Sequence, residues 1–292
     1  MANCLVTGYK GYIGSRLFKV LEEQGHMVRG LDIVDGNDVI EVLGDNSNEL
    51  KYDFVPEYIF HLACYPRVLY SMEHPVSTMK NNVPATSAVL NFAKRVGARR
   101  VIYSSSSSVM GNGQGPVSPY ALQKLISEME CQLYSNVFNV DTVSLRYFNV
   151  YSEDQPASGP YATAISNWMR ALREGIKPFI TGDGEQRRDM VHVQDVIDAN
   201  IFCMKYDGSF NGAAYDVGTG SNISLNEAKD ILLKEHSNVT FENRSPRPGD
   251  VMLTKAAAEG LANLGWKARM PIIEGILSCF SRKNTNTMRN NF

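Results

Sequence analysis

The chain has 292 residues, 43% of them hydrophobic, enough for a large core in one sizeable or two smaller domains, which excludes a disordered chain. Its 29 basic and 31 acidic residues leave a net charge of -2 with no Lys/Arg block, so neither nucleic acid nor a membrane surface is expected as a partner and any anion binding is local. No apolar run reaches the length of a membrane helix, no basic and apolar leader precedes the first strand, and five scattered cysteines form no C-x-x-C; the expectation is a cytoplasmic protein with buried thiols and no metal.

Cys4-Leu-Val-Thr7 reads as a first strand. Tyr12 to Gln24 follows as a helix, with Ile13, Leu17, Val20 and Leu21 at helical spacing. Between them Gly8, Gly11 and Gly14 form G-x-x-G-x-x-G, one residue longer than the usual dinucleotide fingerprint. Gly8 suits the tight turn, Gly11 the approach of a pyrophosphate to the backbone, and Gly14 close packing of helix on strand, while the helix N-terminus offers N–H donors. A glycine triplet alone is equally compatible with a plain turn. Val28 to Ile33 is a second strand ending in Asp32, about 20 residues past the loop, where an acidic side chain accepts from both ribose hydroxyls and repels a 2′-phosphate. That favours NAD over NADP; a solvated loop acid is the competing reading.

Asp38 to Tyr52 is polar and irregular, with Asp45 expected at a strand end. Tyr58 to Ala63 is a continuous apolar run of the kind covered on both faces in a parallel sheet. His61 within it reads as a hydrogen-bonded core residue. A helix is expected over Thr86 to Val96, a strand from Arg100, a helix from Pro119, and another strand over Thr142 to Tyr147. Alternation of this kind predicts an α/β fold, a Rossmann-like doubly wound parallel sheet whose ligand lies at the carboxyl ends of its strands. The later pattern adds a helix over Ala162 to Glu174, strands at Asp189 to Val193, Ala214 to Val217 and Asn238 to Asn243, and further helices. The domain reading is 1–150 with 189–218 for the cofactor, 151–188 with 219–282 for a smaller α/β substrate domain, and 283–292 as a disordered tail.

Ser118-Pro119-Tyr120 fits an N-cap, a first helical position and a first turn, so Tyr120 lies near the positive end of a helix dipole. Lys124, four residues on, shares its face. Both influences, and a nicotinamide charge, lower a phenol pKa and suit Tyr120 to exchange a proton with an alcohol. On spacing alone the pair could equally be two helix-surface residues. Val101-Ile-Tyr103 runs into Ser104 to Ser108 at a strand end, which loads hydroxyls where the sheet presents its ligand.

Thr7-Gly-x-x-Gly11-x-x-Gly14, Asp32, His61-Leu-Ala63, Asn81-Asn-Val83, the serine strand, Tyr120-x-x-x-Lys124, Arg146-Tyr-Phe-Asn149, Gly182 to Asp189 and Arg247-Pro-Gly-Asp250 occur in the order found in extended short-chain dehydrogenase/reductases. Over roughly residues 3 to 275 the chain resembles their NAD-dependent nucleotide-sugar epimerase/dehydratase family, and within it the UDP-glucose (UDP-galactose) and UDP-N-acetylglucosamine 4-epimerases. The resemblance implies NAD held by Gly8, Gly11, Tyr12, Ile13, Gly14, Asp32, Asp45, Leu62, Ala63, Asn81, Tyr120, Lys124 and Phe148. It implies Tyr120 as general base and acid, Lys124 as the residue that bridges the nicotinamide ribose and tunes Tyr120, and Ser106 on the sugar O4. Asn149, Arg188, Arg247 and Asp250 are implied to hold the nucleotide diphosphate and sugar, a UDP-hexose; a homodimer formed through the helices at Thr86 to Val96 and Pro119 to Tyr134 is also implied.

Relatives that dehydrate or decarboxylate carry acidic residues just after the Ser106 position, whereas Ser107 and Ser108 stand here. Simple 4-epimerisation by transient oxidation at C4 is therefore expected. The alternatives are another NAD-dependent nucleotide-sugar enzyme, namely a UDP-glucuronate 4-epimerase, dehydratase or reductase, or a non-catalytic dinucleotide-binding protein. Departures from the family are a short Gly111 to Tyr120 segment, Met110 for the usual Tyr, Ser152 for the usual Gly, and small Thr254 where some relatives carry a bulky Tyr that excludes N-acetyl groups.

Overall fold

The computed structural model of the protein describes residues 1–44, 55–66, 68–111, 113–157, 162–246 and 251–281. The expected tail at 283–292 lies outside them. In chain order the first elements are β1 (Asn3–Thr7), α1 (Tyr12–Glu23), β2 (Met27–Leu31), α2 (Val39–Leu43), β3 (Tyr58–His61), α3 (Val68–Glu73), α4 (Pro75–Val96), β4 (Arg100–Ser106), α5 (Pro119–Phe138) and β5 (Thr142–Tyr147). There follow β6 (Val150–Tyr151), α6 (Ala164–Glu174), β7 (Phe179–Thr181), β8 (Arg187–Arg188), β9 (Val191–His192), α7 (Val193–Lys205), β10 (Ala214–Val217), β11 (Ile223–Ser224), α8 (Leu225–Glu235), β12 (Glu242–Arg244), α9 (Glu259–Leu264) and α10 (Ile272–Phe280). Two compact units result: one is built from Met1–Gly111, Gly115–Arg146 and Ile197–Tyr215, the other mainly from Tyr147–Val196 and the chain from Asp216 onward.

A six-stranded sheet in the order β10-β5-β4-β3-β1-β2 forms the frame of the first unit, the Rossmann-like α/β arrangement expected. β1 pairs in parallel with β2 and β3, and β3 with β4, so that Val6 lies opposite Gly30 and Phe60, and Phe60 opposite Ile102. Helices cover these strands, which is why Tyr58 to His61 is buried throughout and reads as an unbroken apolar run. The core beneath α4 contains Leu5, Ile59, Val89, Leu90, Phe92 and Val101. Arg100 is buried beneath β4, where it pairs with Asp141 at 2.6 Å and donates to the carbonyls of Cys203, Tyr206 and Gly208.

Several elements differ from the sequence expectation. α4 starts at Pro75 and not at Thr86, with Pro84 inside it. A proline there removes one helical N–H, and Asn81-Asn82 reads as loop chemistry, but the Asn82 amide is tied down elsewhere: its oxygen accepts from Tyr65 N–H at 2.7 Å and its nitrogen donates to Gln123 at 2.7 Å. The polar stretch after Asp38 contains α2, capped by the Asp38 carboxylate, which accepts from Ile40 N–H at 2.7 Å. The late strand begins at Glu242, pairing in parallel with β7, because the chain after α8 first closes a turn in which Val239 N–H donates to His236 O.

In the second unit Trp168, buried beside Phe241 and Phe280, anchors a core of α6, α8 and α10 side chains, and its indole N–H donates to Phe179 O at 2.8 Å. Only Val191–His192 of the expected strand at Asp189 to Val193 forms β9. Asp189 is fully buried and serves the loops around it: its carboxylate accepts from the N–H groups of Thr219, Gly220 and Ala256. No helix among the described residues is long and apolar enough to cross a membrane.

Candidate active site

The loop between β1 and α1 is shaped by close backbone approach. Gly8 has φ of 71°; a Cβ there would lie 2.7 Å from the Ala63 nitrogen, and one on Gly14 would lie 2.1 Å from the Gly8 carbonyl oxygen. Only hydrogen fits at these two positions. Gly11 precedes α1 in an extended conformation and has no side chain to cap it, so the first-turn N–H groups of α1 face outward from a glycine-lined cradle, the arrangement that accepts a pyrophosphate. Tyr12 is buried and Ile13 half-buried in the first turn of α1, and Arg16 stacks over the Tyr12 ring at 4.4 Å.

Asp32 follows β2 in an extended conformation and caps a short 3-10 turn. One carboxylate oxygen accepts from Val34 N–H at 3.1 Å, the other from Lys10 N–H at 3.0 Å. Each oxygen retains acceptor capacity for a ribose hydroxyl. Leu62 and Ala63 leave β3 beside Gly8, with Ala63 N–H on Thr7 Oγ1 at 3.3 Å. Asn81 is half-buried on α4. The glycine cradle and the Asp32 acceptors fit NAD. Asp45 lies outside the described residues.

Ser106, Tyr120 and Lys124 come together because β4 ends beside the start of α5. The Ser118 hydroxyl caps α5, accepting from Ala121 N–H at 3.2 Å, and Pro119 occupies the first turn. Ser71 on α3 accepts from Tyr120 N–H at 3.0 Å. Lys124, on the same face one turn on, is buried; its ammonium donates to Ser104 O at 2.6 Å and sits 5.9 Å from the Tyr120 ring centre and 4.8 Å from that of Tyr103. Ser106, at the end of β4, lies close enough to the Tyr120 hydroxyl to pull its pKa down.

The electrostatics differ from the sequence expectation in one respect. Although Tyr120 as a residue is half-buried, desolvation by the surrounding protein is the largest influence and raises its pKa above the ordinary phenol value; Lys124 and the Ser106 hydrogen bond pull the other way. The opposing pulls are present, but burial outweighs them. His61, by contrast, is a core link. Its Nδ1 lies 2.8 Å from Thr7 Oγ1 and its Nε2 3.1 Å from Thr86 Oγ1, and burial pushes its pKa down to about 3.

Other expected site residues lie in the second unit. Phe148 is fully buried. The Asn149 amide nitrogen donates to Asp189 O at 2.9 Å and to Thr254 Oγ1 at 3.3 Å. Arg188 donates to Arg187 O at 3.0 Å, whereas Arg187 pairs with Glu227 and Asn222, as a structural surface arginine does. Arg247 and Asp250 lie outside the described residues.

Sequence reasoning missed Ser71, Glu128 and Gln123. Glu128 is buried one turn beyond Lys124, where it accepts from Ser105 Oγ at 2.5 Å and takes both arms of Arg146 at 2.9 and 2.6 Å. Gln123 links Asn82 to Thr78 at 2.7 and 2.9 Å. The available signal was polar residues at helical positions that face inward.

The sequence profile of the NAD dependent epimerase/dehydratase family matches residues 4–218. The chain is 31% identical to the UDP-glucose 4-epimerase of Mycolicibacterium smegmatis over 93% of this chain and 95% of that one. It is 29% identical to the UDP-N-acetyl-alpha-D-glucosaminuronate decarboxylase of Bacillus cytotoxicus, covering 90% and 94%. Among solved structures, a UDP-glucose 4-epimerase with UDP-glucose from Thermotoga maritima superposes with a TM-score of 0.85 at 26% identity, over 99% of this chain and 100% of that one. With its glycine cradle, its Asp32 acceptors and a match over most of its length, this chain belongs to the NAD dependent epimerase/dehydratase family of nucleotide-sugar enzymes.

Proposed function

We propose that the protein is a nucleotide-sugar 4-epimerase acting on UDP-glucose and UDP-galactose or their N-acetyl forms. The observation that carries this reading is the convergence of Ser106, Tyr120 and Lys124 beside the cradle, with hydroxyls and not carboxylates at Ser107 and Ser108. Held by the glycine cradle and Asp32, NAD would supply the hydride acceptor and donor for reversible oxidation at C4 of the sugar. Tyr120 takes the proton of the 4-hydroxyl and later gives it back. Lys124 and Ser106 stabilise the phenolate that makes this possible. Serine hydroxyls are too weak as acids for the elimination that a dehydratase performs. Asn149, Arg188, Arg247 and Asp250 are assigned the nucleotide diphosphate and sugar, for which a guanidinium fork suits the phosphates.

Incubation with NAD and a panel of UDP-hexoses, UDP-N-acetylhexosamines and UDP-uronates, read by NMR for a 4-epimer, tests the reading. Tyr120→Phe is expected to slow turnover by about a hundredfold or more. An unchanged panel rejects the proposal; loss of water or carbon dioxide in the product mass favours a dehydratase or decarboxylase.

A homodimer through α4 and α5 is part of the same proposal. Along α5, Leu122, Met129, Leu133 and Val137 are 44, 62, 51 and 58% exposed, an apolar stripe that a monomer would leave in water. Light scattering should give twice the chain mass, and Leu133→Glu should halve it; a wild-type monomer rejects the dimer.

A further inference from the structure

The hydrogen bonds around Ser106 fix a direction that the family signature does not specify. Ser106 ends β4 in an extended conformation and caps the next turn, where its Oγ accepts from Ser108 N–H at 3.2 Å and from the Ser108 hydroxyl at 2.9 Å. A serine oxygen has two acceptor sites and one proton. Both acceptor sites are filled by the same residue. The one remaining capacity of Ser106 is to donate, and the Tyr120 hydroxyl is the neighbouring group whose pKa it lowers.

We propose that Ser108 is a positioning residue that sets the polarity of a Ser108–Ser106–Tyr120 hydroxyl chain, holding Ser106 as a donor toward the Tyr120 oxygen. The inference deepens the reading of Tyr120 as the acid/base and rests on it. Two consequences follow. Ser106 stabilises the phenolate by donating to it, and so favours the form of Tyr120 that takes a proton. It does not relay the sugar proton, because a relay must first accept it and its acceptor sites are occupied; the proton passes directly between the sugar 4-oxygen and Tyr120.

The polarity also gives position 108 a meaning for reaction type. A hydroxyl there donates to Ser106. A carboxylate there can only accept, so it would draw the Ser106 proton away from Tyr120 and reverse the chain.

The test compares Ser108→Ala, Ser108→Thr, Ser108→Asn and Ser108→Asp in the NAD-loaded protein. Asn and Asp match in size and differ in whether they can donate. One readout is the titration of the Tyr120 ring carbon that bears the hydroxyl, followed by NMR in carbon-labelled protein and assigned by its loss in Tyr120→Phe; it needs no substrate. The other is the pH dependence of kcat for 4-epimerisation.

Ser108→Ala should move the Tyr120 titration and the acid limb of kcat upward by about one pH unit, roughly tenfold in rate on that limb. Ser108→Thr should restore both, and Ser108→Asp should fall about tenfold or more below Ser108→Asn while melting at a similar temperature. Coincident Tyr120 titrations for wild type and Ser108→Ala, or equal titrations for Asn and Asp, overturn the proposal. Absence of epimerisation by the wild type rejects the functional reading instead and leaves the NMR titration to decide the polarity.

Discussion

Removing the charge of Glu128 tests whether the interior of α5 holds the candidate site in register. The side chain is 6% exposed, its partner Arg146 is 25% exposed, and the two are joined at 2.6 Å. In Glu128→Gln the amide oxygen can still accept from Ser105 and from Arg146 Nε, but the amide nitrogen then faces the second guanidinium arm, donor against donor. At an effective dielectric of about 20 the attraction of such a pair is about 4 kcal/mol, and breaking a buried pair by removing one partner costs about 3–5 kcal/mol. Arg146 reaches water over a quarter of its surface and can rehydrate, which brings the expected loss to about 2 kcal/mol.

For a domain of this size that loss corresponds to a fall in Tm of about 4–8 °C. Thermal unfolding followed by circular dichroism measures it, with Glu23→Gln as control: the Lys19–Glu23 pair is 76 and 61% exposed at 3.6 Å and should change stability by no more than about 0.3 kcal/mol. Melting of Glu128→Gln at the temperature of Glu23→Gln would refute the reasoning. Activity should suffer as well, because Ser105, held by Glu128, sits between Ser104, which takes the Lys124 ammonium, and Ser106, which meets Tyr120.

Gly14→Ala places a methyl 2.1 Å from the Gly8 carbonyl oxygen, so α1 must move off β1 and the pyrophosphate cradle with it; NAD affinity measured by calorimetry should fall at least about tenfold at a stability cost of about 1–3 kcal/mol, and wild-type affinity in this variant would contradict the role of the cradle. His61 carries a pH signature. Its folded pKa, about 3, lies below the unfolded value of about 6.5, so the unfolded chain takes up the proton first; the contribution is complete at and above about pH 6.5 and is lost as pH falls toward 3, by at most about 1.4 kcal/mol per unit. Urea midpoints across that window should lose this slope in His61→Gln, and parallel pH dependences in the two proteins would rule out a buried neutral histidine.

Legibility followed the range of the interactions. β1, the glycine turn and α1 are near-neighbour events, governed by φ at Gly8, by the period of Leu17 and Leu21, and by Cβ crowding at Gly14, so spacing alone reveals them. The pairing of Tyr120 with Lys124 is one helical turn and equally readable. The first half of α4 was hidden because Pro84 and the two asparagines carry breaker chemistry, and only the distant Tyr65 and Gln123 show how Asn82 is satisfied within a helix. The desolvation of Tyr120 was not legible for a related reason: dipole and ammonium are local and visible, whereas desolvation is imposed by the packing around the ring.

The sequence by itself determined the α/β class, the NAD cradle, the acidic end of β2 and the residue types of the candidate site, since each depends on backbone geometry or on spacing within one element. Tertiary structure alone decided that Glu128 and Arg146 brace the serine strand, that Ser71 accepts from Tyr120 N–H, and that Ser108 turns Ser106 into a donor. The first two join residues 18 and 49 positions apart. The third joins residues two apart, but a hydroxyl acquires a direction only when every neighbour has taken its own place.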